Sequence, residues 1–253
     1  SDYYDDLRIG KEILVRHADH YRRLRNTLRY LLGALSDFDK KETIDYSDMP
    51  EIEKWVLNEV YKLSKKIIEF TQNYQLGDIY REVYDFCNDD LSSFYFDIRK
   101  DTLYCSSYDS VERRSCRTVL DILFNCICTW LAPILCFTTE EAWKTHNIDE
   151  NESVHLKEYF KPNDIWNNDT LSKKWEIIRS LRLKVTNKIE EKRREGLIGS
   201  SLEAVIDLEV PTNYFKILSN LNLSEIFICS KVEFKVSDDL ENDEIKVNCT
   251  KVS

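Results

Sequence analysis

Residues 14–35 read LVRHADHYRRLRNTLRYLLGAL, and the spacing of their large side chains decides the predicted fold. An α-helix brings residues three and four positions apart onto one face. One such stripe runs through the whole segment: Leu14, His17, Tyr21, Leu24, Leu28, Leu31 and Leu35. We predict a long helix that ends at Ser36 and Asp37 and buries this face. His17 belongs to the stripe, so we expect a core histidine rather than a metal ligand paired with His20.

More helices follow with short connections. Residues 50–74 repeat the stripe, and further helices are predicted at about 77–96, 109–137 and from 138 through 143. Three of these starts carry the spacing of a capping pair, in which an N-cap side chain and an acid three residues later bond the free backbone N–H groups. The pairs are Asp48 with Glu51, Asp109 with Glu112, and Thr138 with Glu141. Long helices joined by short loops predict a mainly α helix bundle.

The C-terminal part has a different pattern. Residues 146–170 are polar and irregular, and residues 171–195 form an amphipathic helix that stops at Gly196. Residues 204–210 read as a strand, 214–221 as a short helix, 226–236 as one or two strands, and 245–252 as another strand. We therefore divide the chain into a helical bundle (1–152), a connector with a long basic helix packing on it (153–196), and a small α/β subdomain (197–253).

Composition limits the function. The chain has 36 Lys and Arg against 46 Asp and Glu, a net charge of −10, so any nucleic-acid site must be a local patch. No GxxxxGK[ST], GxGxxG, GxSxG or HExxH motif occurs, and no catalytic residue is predicted. The eight cysteines contain no CxxC pair, so we expect them to be reduced, structural and without metal, in a cytoplasmic protein.

One apolar stretch, residues 119–137, raises the question of a membrane span. Asp121, Asn125, Thr129 and Pro133 recur in it every four residues. Such a polar stripe along one face suits a helix packed inside a bundle better than a helix in lipid. We therefore predict a buried helix and no membrane partner.

Three basic clusters stand out from the acidic background. On the first helix, one outward face carries Arg22, Arg25, Asn26 and Arg29. Between residues 172 and 196, nine Lys and Arg face four acids, and the run ends with Lys188, Lys192, Arg193 and Arg194. The third cluster joins cations to aromatic residues: Arg99, Lys100, Arg113, Arg114 and Arg117 with Tyr95, Tyr104 and Tyr108. Such mixtures suit single-stranded RNA loops. Solvated helix faces with intrahelical ion pairs remain an equal alternative.

Several ordered motifs carry a family resemblance. YRRLRNTLRYLLGAL at 21–35, followed by DFD at 37–39, resembles the signature that opens the anticodon-binding domain of isoleucyl-tRNA synthetases. The segment at 2–9, FYFDIRKDTLYC at 94–105, WLAPILCFTTEEAW at 130–143, VHL at 154–156 and IGSSLEA at 198–204 are similar to further family segments. The RNT and IGSSLEA motifs distinguish the isoleucine enzyme from its valine relative, which shares the WLAP segment.

The resemblance implies a C-terminal fragment of a bacterial-type isoleucine–tRNA ligase. The parent joins isoleucine to tRNA(Ile) with ATP and Mg, and often carries zinc, but its HIGH and KMSKS motifs and its editing domain are absent from this chain. Cys229 and Cys249 do not supply the ligands of the zinc module found in many members. The fragment itself would be non-catalytic and without cofactor.

The expected partner is the anticodon arm of tRNA(Ile), with no DNA and a monomeric chain. The candidate tRNA-binding residues are Arg22, Arg25, Asn26, Arg29, Arg99, Lys100, Lys188, Lys192, Arg193 and Arg194. Residues that match the family motifs could contact RNA or position the surface that does. The alternatives are the equivalent region of the valine enzyme and a non-catalytic helical protein-interaction module.

Overall fold

The computed structural model describes residues 9–147, 152–237 and 245–252. The segment at 2–8, quoted above for its resemblance, lies outside these ranges. The chain divides into two compact units, Ser1–Asn168 and Asp169–Ser253. The division falls inside the irregular segment predicted at 146–170. The predicted connector (153–196) is therefore split: its first part belongs to the first unit and its long helix to the second.

The first unit is a helix bundle, as predicted. Its helices are α1 (Lys11–Ala34), α2 (Glu51–Gln72), α3 (Leu76–Asp85), α4 (Phe96–Cys105), α5 (Val111–Leu131) and α6 (Cys136–His146). A π-helical segment, Phe86–Tyr95, joins α3 to α4. The helix predicted at about 77–96 therefore continues through α4 to Cys105. Short 3-10 turns occupy Lys40–Glu42, Tyr46–Asp48, Val154–Leu156 and Asp164–Trp166.

Helix α5 is the centre of the bundle and contacts α1, α2, α3, α4 and α6. Leu120, Leu123 and Phe124 of α5 are fully buried, which confirms the buried-helix prediction within α5, whereas Phe137 at the end of the predicted stretch is 92% exposed. Two residues of its polar stripe bond within the helix, because the Thr129 hydroxyl donates to the Asn125 carbonyl at 2.8 Å and the Asn125 amide donates to the Asp121 carbonyl at 2.7 Å. The Asp121 carboxylate instead contacts His146 of α6 at 3.2 Å. Among the described residues, no helix is long and apolar enough to cross a membrane.

The leucine stripe of α1 is buried over only half of its length. Leu24, Leu28, Leu31 and Leu35 are in the core, whereas Leu14 is 58% exposed and His17 and Tyr21 are also exposed. The prediction of a core His17 is therefore wrong. Periodicity determines which side chains share a face, but burial also needs a neighbouring helix along the entire face.

Three predicted helix starts differ in detail. Pro50 occupies the N-cap of α2 without a side-chain bond, and Asp48 lies in the preceding turn. Ser110, not Asp109, caps α5, because its hydroxyl accepts from the Arg113 N–H at 3.2 Å. The Thr138–Glu141 pair is wrong as a cap.

Thr138 lies inside α6 and bonds the Tyr21 hydroxyl at 3.0 Å instead. Helix α5 also ends at Leu131 rather than at 137, because Pro133 cannot donate a helical hydrogen bond.

The second unit contains α7 (Asp169–Arg194), β1 (Ala204–Val210), α8 (Thr212–Leu218), α9 (Leu223–Phe227), β2 (Lys231–Val236) and β3 (Lys246–Lys251). The sheet order is β2-β1-β3, with β1 parallel to β2 and antiparallel to β3. Alternate residues of β1 are buried: Ala204, Ile206, Leu208 and Val210. Within 226–236 only Lys231–Val236 is a strand, since the apolar residues before it belong to α9.

All eight cysteines are free, and six are buried. Burial raises the pKa of the Cys229 thiol to about 11, so this thiol stays protonated at neutral pH. Cys105 and Cys136 are exposed. Cys136 is exposed because it begins α6 at the surface of the first unit.

Candidate nucleic-acid interface

The predicted basic face of α1 is exposed to solvent. Arg22, Arg25, Asn26 and Arg29 all point away from the core, because the buried leucines occupy the other side of the helix. Arg25 and Arg29 line a shallow groove of about 250 Å³ between α1 and α6. Thr138, Glu141 and Thr145 line its other side.

Arg25 and Arg29 are the unengaged cations of this face. Within the described ranges, neither guanidinium forms a hydrogen bond or an ion pair with another residue. A free, exposed guanidinium can bind phosphate oxygens with two parallel N–H bonds. These two side chains are therefore the best-placed phosphate ligands among the predicted residues of α1.

The other two predicted residues of α1 have different surroundings. The Arg22 Nη1 atom donates to the Asp19 carboxylate at 3.2 Å, so its charge is partly neutralised at the surface. Asn26 lies on the opposite flank of α1, in a separate groove of about 190 Å³ that Tyr84 and Asn88 also line. The structure therefore does not bring Asn26 together with Arg25 and Arg29 in one groove.

Sequence reasoning missed Arg23, which lines the same groove as Asn26. Its Nη1 atom donates to the Asn88 side chain at 2.8 Å, and its Nε atom donates to Asp19 at 3.2 Å. The bond to Asn88 ties α1 to the π-helical segment, whereas the bond to Asp19 stays within α1. The sequence did show Arg23 in the same basic run as Arg22. Which side of α1 faces a partner, however, depends on where the neighbouring helical segment lies.

Arg99 is not a surface residue. Only 4% of it is exposed, and its guanidinium holds the Glu53 carboxylate with two bonds of 2.7 Å. The Tyr95 hydroxyl donates to the same carboxylate at 3.1 Å. Burial raises the pKa of Glu53, and Arg99 opposes that shift. The burial of Arg99 corrects the prediction that it contacts RNA directly, and its bonds to Glu53 join α4 to α2.

Most of the third basic cluster is likewise internal. The Arg117 side chain is buried and donates to Asp37 at 2.6 Å and to Glu42 at 2.9 Å. Arg114 donates to the Glu42 backbone carbonyl at 3.1 Å. These bonds fasten α5 to the connection after α1. Lys100 remains half-exposed and pairs with Asp97 at 3.0 Å.

The basic run at the end of α7 is largely paired within the helix. Lys188 contacts Glu191 at 2.7 Å, Lys192 contacts Glu195 at 2.8 Å, and Arg193 contacts Glu190 at 2.6 Å. The hydrogen bond with Glu195 raises the pKa of Lys192. This is the pattern of a solvated face. Arg194 is exposed and has no such pair within the described part of the second unit.

His17 and His20 line a groove of about 1060 Å³ between α1 and α3. The His20 ring stacks on Tyr84 at a centroid distance of 4.2 Å, and Arg16 and Arg81 lie at the same groove. No group of three His, Cys, Asp or Glu side chains suited to a metal ion is found in the described residues. The two histidines therefore form part of a groove surface with the aromatic residues Tyr80 and Tyr84.

Comparisons with known proteins agree with this architecture. Residues 53–209, more than half of the chain, match the family described as the anticodon-binding domain of tRNA ligase. The chain belongs to this family of helical anticodon-binding domains, which confirms the predicted fold class.

Among its curated relatives are isoleucine–tRNA ligases from three bacteria. The chain is 45% identical to that of Gluconobacter oxydans (strain 621H) over 92% of its length, and 45% identical to that of Zymomonas mobilis subsp. mobilis over 94%. It is also 45% identical to that of Agrobacterium fabrum (strain C58) over 92%. The resemblance to the isoleucine enzyme is thereby confirmed. The chain spans about a quarter of the length of these relatives, 24% to 26%.

Proposed function

We propose that this chain binds the anticodon arm of tRNA(Ile), as the RNA-binding portion of a longer isoleucine–tRNA ligase. The observation that carries the proposal is the pair of exposed, unengaged guanidiniums of Arg25 and Arg29 on α1 of a tRNA-ligase anticodon-binding domain. Phosphate contacts from such groups fix the register of an RNA on a protein surface but carry no base specificity themselves. Selection among tRNAs then needs further contacts to unpaired bases.

The chain's own part in the reaction is proposed to be binding and orientation. Holding the anticodon arm would position the acceptor end of the tRNA at a distant active site, and no chemical step is assigned to the residues of this chain. The use of ATP with Mg, and of zinc, is proposed for the longer ligase only. A monomeric state, a cytoplasmic location and the absence of DNA binding remain predictions.

A salt-stepped titration tests the proposal. The chain is titrated into fluorescently labelled anticodon-arm hairpins of isoleucine and valine tRNA at about 50, 100 and 200 mM salt. We expect tighter binding to the isoleucine hairpin and a steep loss of affinity with salt, since each neutralised RNA phosphate releases a counterion.

Each other outcome has a distinct meaning. Preference for the valine hairpin would favour the related valine enzyme. The lack of salt-dependent binding to either hairpin would contradict the proposal and leave the helical protein-interaction module as the better interpretation.

A further inference from the structure

We propose that Tyr104 and Tyr108, at the turn between α4 and α5, form a stacking site for unpaired nucleotides of the bound RNA. This inference rests on the proposed function and assigns the contacts to bases that the cations of α1 do not supply. Tyr104 lies in the last turn of α4 and is 74% exposed, and Tyr108 lies in the turn itself and is 70% exposed. Neither hydroxyl has a hydrogen-bond partner among the described residues.

The Tyr108 ring is held in place from behind. The guanidinium carbon of Arg113 lies 4.2 Å from the centre of the ring, and Arg113 itself is only 9% exposed. A guanidinium at this distance attracts the electron-rich face of an aromatic ring. Because one face rests on Arg113 while most of the side chain is in solvent, the ring presents its other face outward at little further cost in conformational entropy.

Arg113 carries a buried charge that no acidic side chain of the described residues neutralises. Its Nε atom donates to the Leu103 carbonyl at 3.2 Å, while its Nη1 atom has no hydrogen-bond partner within the described ranges. The other buried arginines nearby are paired, Arg99 with Glu53 and Arg117 with Asp37 and Glu42. A buried cation without an acidic partner is costly for stability alone, and here it holds the exposed Tyr108 ring in place.

The charges around the turn favour base stacking over a run of phosphate contacts. Lys40 and Lys41 are exposed on the turn that Arg114 fastens to the start of α5, since Arg114 donates to the Glu42 carbonyl at 3.1 Å. Asp109 and Glu112 are also exposed here, so the surface carries both signs. The salt dependence of RNA binding comes from neutralised phosphates, so the affinity that base stacking itself contributes should depend little on salt. Weak salt dependence therefore distinguishes binding at the two tyrosines from binding at the free cations of Arg25 and Arg29.

The test compares Tyr108→Ala with Tyr108→Phe and with Phe137→Ala as the matched control. Phe137 is an aromatic residue of α6 that is 92% exposed, so its removal alters a similar area of surface elsewhere. Two probes are used: the isoleucine anticodon-arm hairpin with its unpaired loop, and a fully paired duplex with the same stem. Thermal unfolding checks that each variant is folded.

We expect Tyr108→Ala to weaken hairpin binding by about 5- to 100-fold, with the salt dependence and the duplex affinity unchanged. Tyr108→Phe should keep the affinity because stacking needs the ring and not the hydroxyl, and Phe137→Ala should have no effect. If the unaltered chain binds the hairpin with salt dependence and Tyr108→Ala binds equally well, this inference is overturned while the proposed function stands. If the unaltered chain does not bind the hairpin, both are overturned, and the tyrosines are better assigned to a protein partner.

Discussion

The carboxylate of Glu53 on α2 and the guanidinium of Arg99 on α4 form a fully buried pair with two bonds of 2.7 Å. We predict that Glu53→Ala lowers the free energy of unfolding by about 3–5 kcal/mol, because it removes the carboxylate that holds the buried arginine charge with two hydrogen bonds. Lys100 is the next residue in the sequence, but its side chain is half-exposed. Lys100→Ala should therefore change the free energy of unfolding by less than about 0.5 kcal/mol. Urea unfolding measures both, and equal losses would contradict the assignment of Arg99 to the core.

The two halves of the α1 stripe should respond differently to truncation. Leu28 is 2% exposed and Leu14 is 58% exposed, although both belong to the same helical face. Leu28→Ala should cost about 2–5 kcal/mol through reduced burial and the cavity that remains, whereas Leu14→Ala should stay within about 0.5 kcal/mol. Denaturant midpoints of the two variants check this. A large loss for Leu14→Ala would show that its side chain is covered in solution.

Tyr74 occupies a position that glycine usually takes. It follows α2 with a φ of 56°, and the bonds from Gln75 N–H to the Phe70 carbonyl and from Tyr74 N–H to the Thr71 carbonyl form a Schellman motif. The same motif ends α7, with Gly196 at the equivalent position and a φ of 73°.

We predict that Tyr74→Gly stabilises the chain by about 1 kcal/mol, because glycine adopts this left-handed conformation without strain and the tyrosine ring is exposed. Gly196→Ala should destabilise it by a similar amount. Thermal unfolding of both variants gives the sign, and a destabilised Tyr74→Gly would mean that the tyrosine ring makes contacts that outweigh the strain.

The guanidiniums of Arg25 and Arg29 should act through charge. The double variant Arg25→Ala, Arg29→Ala is expected to weaken binding of the isoleucine hairpin and to reduce the slope of log affinity against log salt by about 1 for each RNA phosphate that is no longer neutralised. Arg81→Ala removes another exposed arginine, which pairs with Asp78 on α3, and should leave the slope unchanged. An unchanged slope in the double variant would place the phosphate-binding cations elsewhere.

Glu140 links α6 to the segment after it. Desolvation is the largest single influence on the Glu140 pKa and raises it, but the bonds from the Lys144 ammonium, the Ser153 hydroxyl and the Val154 N–H together outweigh desolvation and lower the pKa. Because the pKa in the folded state lies below the unfolded value of 4.5, the stabilisation is present above that value and is lost as the pH falls through the folded pKa.

We therefore expect Glu140→Gln to be less stable than the unaltered chain at about pH 7, with the difference shrinking below about pH 4. Urea midpoints at both values measure it. A difference that does not depend on pH would mean that the carboxylate charge contributes nothing to this link.

Sequence periodicity was sufficient where a pattern depends on the local backbone alone. The strand at Ala204–Val210 and the end of α7 at Gly196 were predicted within about a residue, because alternation and a left-handed glycine are properties of neighbouring residues. The bundle class also followed from the sequence, through repeated helical stripes with short connections. The motifs at residues 21–35 and 198–204 identified the family, because a family motif depends on which residues occur in order and not on where they lie in space.

Tertiary structure alone decided which charges are available. Arg99 and Lys100 are neighbours in the sequence, yet one is buried on Glu53 and the other is half-exposed. Arg25 and Asn26 are also neighbours but line different grooves. Successive residues of a helix point about 100° apart, so the partner of each depends on helices that are distant in the sequence. The sequence by itself therefore determined the helices, the small sheet and the family, while the packing of α2, α3 and α6 around α1, α4 and α5 decided which cations remain free for a ligand.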